Sequence, residues 1–205
     1  MRLVISLGAA IVAADVGCLA SAQEPRSDSA AKLMDDLMWG RGPVGGPFEL
    51  VDHAGRQRTD ADFRGTWLLI YFGFTYCPGV CPTDLLEMAL AIDQLGKAGE
   101  GVQPLFITVD PARDTAEHLA HYVGSFHPRL IGLTGTPEQI QRVARAYKVY
   151  YAKSPADSPD YVVDHSSFIY LVDPTGRYVG FFPPGTAAVR MVEMIQPRLL
   201  PLVSE

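Results

Sequence analysis

Two cysteines, Cys77 and Cys81, lie in the run Tyr76-Cys77-Pro78-Gly79-Val80-Cys81-Pro82, and thiols at this separation admit three chemistries. As a dithiol they can exchange with a disulfide or reduce a peroxide, and as thiolates they are soft donors to a metal. A structural staple is a poor explanation, because a disulfide across so short a stretch closes a tiny loop and constrains little of the unfolded chain. The third cysteine, Cys18, falls in an amino-terminal apolar segment and is expected to leave with it.

A third donor is offered by His165, in Val163-Asp164-His165-Ser166-Ser167. Two thiolates and an imidazole form a soft three-coordinate set suited to Cu(I), and an added oxygen ligand makes it acceptable to Cu(II). Zinc binds the same atoms, but structural zinc wants four ligands. The neighbouring Asp164 can orient His165 or simply be solvated. His118 and His121 are three apart on a predicted helix with no acidic or thiol side chain aimed at them, and are read as a solvated face. His53, in a turn, and His127, before Pro128, are given no role, while Asp110 and Asp114 are explained by capping and loop hydrogen bonds. Met34 and Met38 alternate with Leu33, Leu37 and Trp39 at helical spacing and read as a packing stripe.

These residues must be positioned by a small number of elements. Trp67-Leu68-Leu69-Ile70-Tyr71-Phe72 is an unbroken bulky run, the pattern of a strand buried on both faces. The cysteine loop, Gly73 to Cys81, follows it directly. Pro82 then reads as the first residue of a helix with Leu85, Leu86, Met88, Ala89, Ile92 and Leu95 on one face, so that Cys81 is its cap. Both sulfurs would sit at the positive end of that helix, where free backbone N–H groups favour a thiolate.

Downstream, the pattern predicts strands over Leu105–Val109 and Leu130–Leu133, a helix from Asp114 or Thr115 to Phe126, and a helix begun by Thr136-Pro137-Glu138-Gln139. Lys148 to Ala152 reads as a strand edge and Lys153 to Asp160 as an exposed loop. A hairpin of Phe168–Val172 and Tyr178–Phe182 precedes a last helix from Thr186 to Leu199. Phe48–Val51 and Arg56–Thr59 predict an amino-terminal hairpin. Alternating strands and helices with a redox-type cysteine pair after the first core strand indicate an α/β fold: a thioredoxin-like three-layer domain with a central mixed sheet and an N-terminal hairpin extension. In such a domain the loop before the penultimate strand, here Val163 to Ser167, crosses to face the cysteine loop, which places His165 opposite the thiols.

The chain of 205 residues is 48% hydrophobic and 20% charged, enough for one folded domain and incompatible with global disorder or a disulfide-dense miniprotein. With 17 basic against 23 acidic side chains it carries a net charge of −6 and no basic run, so no nucleic-acid partner is expected. Residues 1–22 read as a signal peptide, with Arg2, an apolar stretch and Ala20-Ser21-Ala22, although Asp15 breaks the stretch before it could span a membrane. Residues 23–46 read as a flexible tether and 47–205 as the folded domain. The expected setting is export to the periplasm or an equivalent compartment, in association with the membrane if the segment is retained or lipidated.

Five segments in register, Gly45-Gly46-Pro47-Phe48, Tyr71-Phe72-Gly73-Phe74-Thr75, Cys77-Pro78-Gly79-Val80-Cys81-Pro82, Thr108-Val109-Asp110-Pro111 with Arg113-Asp114-Thr115, and Asp164-His165-Ser166, resemble the SCO/SenC family of copper-binding assembly factors. The resemblance implies that Cys77, Cys81 and His165 are copper ligands and that the cysteines form a redox-active pair. It further implies a monomeric metallochaperone rather than an enzyme. Its partners would be the copper-binding subunit of cytochrome c oxidase and an upstream thiol reductase or copper donor. Tyr76 stands where many members have His, and Gly79 where many have Asp. The alternative reading is a thiol-disulfide oxidoreductase or thiol peroxidase using the same two cysteines.

Overall fold

The computed structural model describes residues 44–199 apart from 156, 157 and 159. The proposed signal peptide, the Leu33–Trp39 stripe and nearly all of the tether therefore lie outside the described residues.

The bulky run beginning at Trp67 becomes the centre of the sheet. Trp67–Gly73 (β3) is buried along its whole length, with Leu69, Ile70, Tyr71 and Phe72 fully shielded from solvent. β3 pairs in parallel with Val102–Thr108 (β4), Tyr71 opposite Phe106, and antiparallel with Ile169–Val172 (β8), Tyr71 opposite Ile169. Burying each such side chain contributes about 1.5–3 kcal/mol. Ile131–Thr134 (β5) extends the parallel side. The predicted amino-terminal hairpin, Glu49–Asp52 (β1) with Gln57–Thr59 (β2), joins antiparallel to β5, and Tyr178–Phe182 (β9) closes the other edge. The resulting seven-stranded mixed sheet runs β2-β1-β5-β4-β3-β8-β9.

Helix Val80–Gln94 (α1) packs against the last helix, Ala188–Leu199 (α4). Glu87 of α1 accepts the Ala188 N–H at 2.7 Å, and Asp84 accepts the Gly185 N–H at 2.8 Å, which fixes the start of α4 on α1. Ala116–Gly124 (α2) lays Tyr122 against Phe106, ring centroids 5.5 Å apart. On the opposite side of β3, Phe72 packs against Tyr147, which closes helix Pro137–Ala146 (α3), and against Tyr170 of β8. The alternation of Tyr71 and Phe72 thus feeds two helical layers from one strand. Thr136 caps α3 reciprocally with Gln139, as the sequence predicts.

Two local expectations are corrected. α1 begins at Val80, with Gly79 as its cap, so Cys81 lies inside the first turn rather than at the cap. Pro82 tolerates this place because the first turn of a helix leaves its N–H groups unpaired. The segment carrying His165 is also not a loop: Tyr151–Ser154 (β6) and Val162–His165 (β7) form a separate two-stranded antiparallel arm, with Tyr151 opposite His165.

Candidate metal centre

Cys77 is half-buried in the loop leaving β3, and Cys81 is fully buried in the first turn of α1. The close packing of Cys81 depends on Gly73 at the end of β3. A Cβ there would stand 2.9 Å from the Tyr71 ring and 3.1 Å from Cys81 Sγ, so any side chain would push the sulfur away. β7 delivers His165 from across the sheet. Its Nε2 lies 3.3 Å from Cys81 Sγ, and the donor atoms of Cys77, Cys81 and His165 all fall within 4.8 Å of one another.

The imidazole is aimed by its surroundings. His165 Nδ1 lies 3.1 Å from the Ser166 carbonyl oxygen, which can only accept, so Nδ1 carries the proton and Nε2 presents its lone pair to the thiols. Tyr71 and Phe74 meet the ring edge-on at 6.4 and 5.8 Å. The orienting partner is therefore the Ser166 carbonyl, and Asp164, on the exposed face of β7, does not fill that place.

The two thiols are electronically unlike. A hydrogen bond from Cys81 holds Cys77 well below the ordinary thiol range against the opposing effect of burial, helped by the backbone N–H groups of Gly79 and Cys81. The same sulfur–sulfur hydrogen bond, with burial, pushes Cys81 up. Cys77 is therefore the more acidic thiol of the metal-free pair and Cys81 the one that holds its proton more tightly. A cavity of about 390 Å³ opens beside them between Cys77 and Pro78 on one side and Val162 and His165 on the other.

The cysteine loop is fastened from α2. The Thr75 N–H and hydroxyl donate to Asp114 at 3.1 and 2.6 Å, and the Thr108 hydroxyl donates to the same carboxylate at 2.6 Å. His118 is not on a solvated face as expected. Its Nε2 lies 2.9 Å from the Thr75 oxygen, and its ring stacks on Tyr76 at 5.5 Å with an interplanar angle of 5°. Tyr76 supplies the flat surface for this contact. His121 is exposed, as read, and has no part in the centre. His53 accepts the Gly132 N–H at 3.1 Å and His127 the Arg129 N–H at 3.0 Å, both structural bonds distant in sequence from the thiols. Arg113 and Tyr161, which sequence reasoning gave no role, join the two halves of the site; the interaction is between loops far apart in the chain and leaves no periodic signal.

The donor set fits a soft monovalent metal. Bonds of ~2.0–2.3 Å in a trigonal site put ligand atoms roughly 3.5–4 Å apart, so the 3.3 Å Cys81–His165 separation would widen a little and the widest, at most 4.8 Å, would contract by about an ångström. Three donors leave a tetrahedral metal one short, and two of the three are sulfur. Cys77, Cys81 and His165 could form a copper site.

Comparison with known proteins agrees with this arrangement. The SCO1/SenC family profile matches residues 38–199. The chain is 50% identical over 155 residues to "Protein SCO2 homolog, mitochondrial" of Bos taurus, covering 74% of this chain and 58% of that protein. It is 45% identical over 169 residues to "Protein SCO1 homolog, mitochondrial" of Homo sapiens, covering 80% and 56% respectively. The chain thus spans little more than half the length of these relatives. Among solved structures, Arabidopsis thaliana ScoI with copper bound superposes with a TM-score of 0.72 at 42% identity, over 77% of this chain and 99% of that one. Bradyrhizobium japonicum ScoI with copper bound gives 0.70 at 40% identity, over 75% and 98%. Both curated relatives are named as mitochondrial, which overturns the expectation of export to a periplasm. Among the described residues no helix is long and apolar enough to cross a membrane. By the span of the family match and the identity to these relatives, the chain belongs to the SCO1/SenC family.

Proposed function

We propose that this protein binds one copper through Cys77, Cys81 and His165 and hands it to the copper-binding subunit of cytochrome c oxidase. The observation that carries the reading is the convergence of two sulfurs and one proton-free imidazole nitrogen within 4.8 Å, with the imidazole turned by the Ser166 carbonyl. The copper bound in the similar plant and bacterial structures supports it, and the relatives' names support a mitochondrial setting. Copper is cargo here. The protein's part is to present two thiolates and a neutral imidazole, to shield one flank with Tyr71, and to leave the other open to the cavity, lined by Phe74, through which an acceptor's ligands can approach. A three-coordinate site releases a metal by accepting one incoming donor before losing its own, so an open flank is a requirement for transfer.

The inequality of the two thiols favours a second use of the same pair. The Cys77 thiolate can attack a client disulfide, forming a mixed disulfide and expelling one client thiolate. Cys81 then gives up its proton and attacks Cys77, releasing the second client thiolate; two electrons pass to the client and Cys77–Cys81 becomes the disulfide. Metal binding and this exchange compete for the same sulfurs, so a protein in the disulfide form cannot take copper.

The test is to mix the reduced, Cu(I)-loaded chain with the metal-free copper-binding domain of the oxidase subunit, separate the two and measure copper in each. Movement of copper to that domain, lost when either cysteine is replaced by Ser, is the expected result. Retention of all the copper by this chain in the presence of excess acceptor would contradict the delivery role.

A further inference from the structure

His165 does not sit on the main sheet. It ends β7 of the two-stranded arm, so its distance from the cysteines is set by whatever fastens that arm to the body. Beside His165 the two strands of the arm are held to each other, the Ser166 N–H donating to the Tyr150 carbonyl at 2.9 Å. At the other end of β7 the fastening is a cluster around Arg113. Arg113 Nε donates to Asp110 at 2.5 Å, and Nη1 donates to the Tyr161 carbonyl at 3.0 Å. The Tyr161 hydroxyl donates to the second oxygen of Asp110 at 2.7 Å. The guanidinium carbon also lies 3.8 Å from the centre of the Tyr161 ring, 4.7 Å from that of Tyr76 and 5.8 Å from that of Phe74. Tyr161 adjoins β7; Tyr76 and Phe74 belong to the cysteine loop. One side chain therefore touches both halves of the metal centre.

We propose that Arg113, braced by Asp110 and Tyr161, is a latch that holds the His165 arm against the cysteine loop and thereby sets how readily bound copper is released. The inference rests on the copper reading above and deepens it. Arg113 is a positioning residue, since it offers no donor to the metal. A guanidinium can make these contacts together: an ion pair in one direction, a carbonyl in another and three aromatic rings close by. The Asp110 side chain is fully buried and that of Arg113 is 21% exposed, so the pair is shielded far better than a surface ion pair, and removing the cation leaves a buried carboxylate with Tyr161 as its remaining side-chain partner. Tyr76 lengthens the contact by stacking on His118, which continues the series from α2 through the cysteine loop to the arm. An acceptor that displaced Tyr161 would loosen His165 while the two thiolates kept hold, making an ordered release.

The experiment follows copper loss from the reduced, Cu(I)-loaded full chain to bicinchoninate by stopped-flow absorbance. Arg113→Met is expected to accelerate release on the order of tenfold, and Tyr161→Phe on the order of fivefold, from the loss of charged and neutral hydrogen bonds. In the His165→Ala background Arg113→Met should add nothing, because the latch acts through that ligand. In the copper-free protein the same two variants should raise amide hydrogen exchange across β7. Release at the wild-type rate in Arg113→Met, or an equal further acceleration in the His165→Ala background, overturns the latch. If Arg113→Met does not fold, Tyr161→Phe decides alone by the same criteria. Should His165→Ala itself release copper at the wild-type rate, the ligand reading fails and the latch with it; acceleration by His165→Ala with none by either latch variant defeats the latch alone.

Discussion

Asp114 takes both the backbone N–H and the hydroxyl of Thr75, two residues 39 positions apart, and so ties the start of α2 to the loop that carries Cys77. The carboxylate is fully buried, and burial pushes its pKa up, against the lowering effect of the Thr108 and Thr75 hydrogen bonds. Thr75→Val removes one donor to a buried acidic group and the acceptor used by His118. We expect a loss of about 1–3 kcal/mol in unfolding free energy, read from urea denaturation. An unchanged midpoint would mean that the loop is held by packing alone.

The unequal thiols predict an order of reaction. At neutral pH the metal-free, reduced protein treated with limiting iodoacetamide should be alkylated at Cys77 first, because that thiol is held low and is half-exposed while Cys81 is pushed up and buried. Peptide mass mapping reads the site directly. In Cys77→Ser the partner that raises Cys81 is removed, yet burial persists, so Cys81 should still react slowly until the chain is unfolded. Preferential modification of Cys81 in the native protein would reverse the assigned roles.

Acid stability provides a test away from the metal centre. Burial opposes ionisation of Asp52, but N–H groups of Arg56 and Ala54 and the Arg58 and Arg56 side chains outweigh it and hold its pKa below the usual carboxylate value. A depressed folded-state pKa stabilises the fold above the unfolded value, near 3.8, and that contribution is lost as pH falls through the folded value. Asp84 and Asp114 are shifted upward and act in the opposite sense, so the measurement is a difference. The gap in unfolding free energy between the parent and Asp52→Asn should be on the order of 2 kcal/mol at pH 7 and should shrink below about pH 4. A gap that stays constant to pH 2 would show that the Asp52 charge contributes nothing.

Much of this could be read from the residues because it is local. The unbroken Trp67–Phe72 run gave away the central strand, and Thr136 through Gln139 gave away the start of α3, since burial on both faces and reciprocal capping are written within a few positions. Cys77 and Cys81 announced themselves by type, spacing and the strand before them. What could not be read depends on contacts between distant segments. Pro82 looks like a first helical residue from its own chemistry, yet Gly79 can leave the extended conformation more cheaply than its neighbours and the helix starts one residue after it. His118 looked solvated because no helix periodicity records that Thr75 and Tyr76 come to rest beside it. His165 was placed opposite the thiols from the expected fold, while the two-stranded arm that presents it has no strong alternation, Val163 being its one well-buried residue between the exposed Val162 and Asp164.

The histidine separates the copper reading from pure thiol chemistry. His165→Ala should fold, should form and reduce the Cys77–Cys81 disulfide like the parent, and should lose at least tenfold in copper affinity through the missing donor. Equal copper retention with altered disulfide chemistry would reverse the account and favour the oxidoreductase reading.

The central claim concerns which atoms hold the metal, and X-ray absorption at the copper edge reads them most directly. The reduced full chain loaded with one equivalent of Cu(I) should show two sulfur scatterers and one nitrogen scatterer with the outer-shell signature of an imidazole, and the imidazole signature should vanish in His165→Ala. The disulfide form, prepared by oxidation and checked for loss of both thiols by alkylation, should bind no copper tightly. A first shell without sulfur, or tight binding that survives in the Cys77→Ser, Cys81→Ser double variant, would place the copper elsewhere and contradict the account.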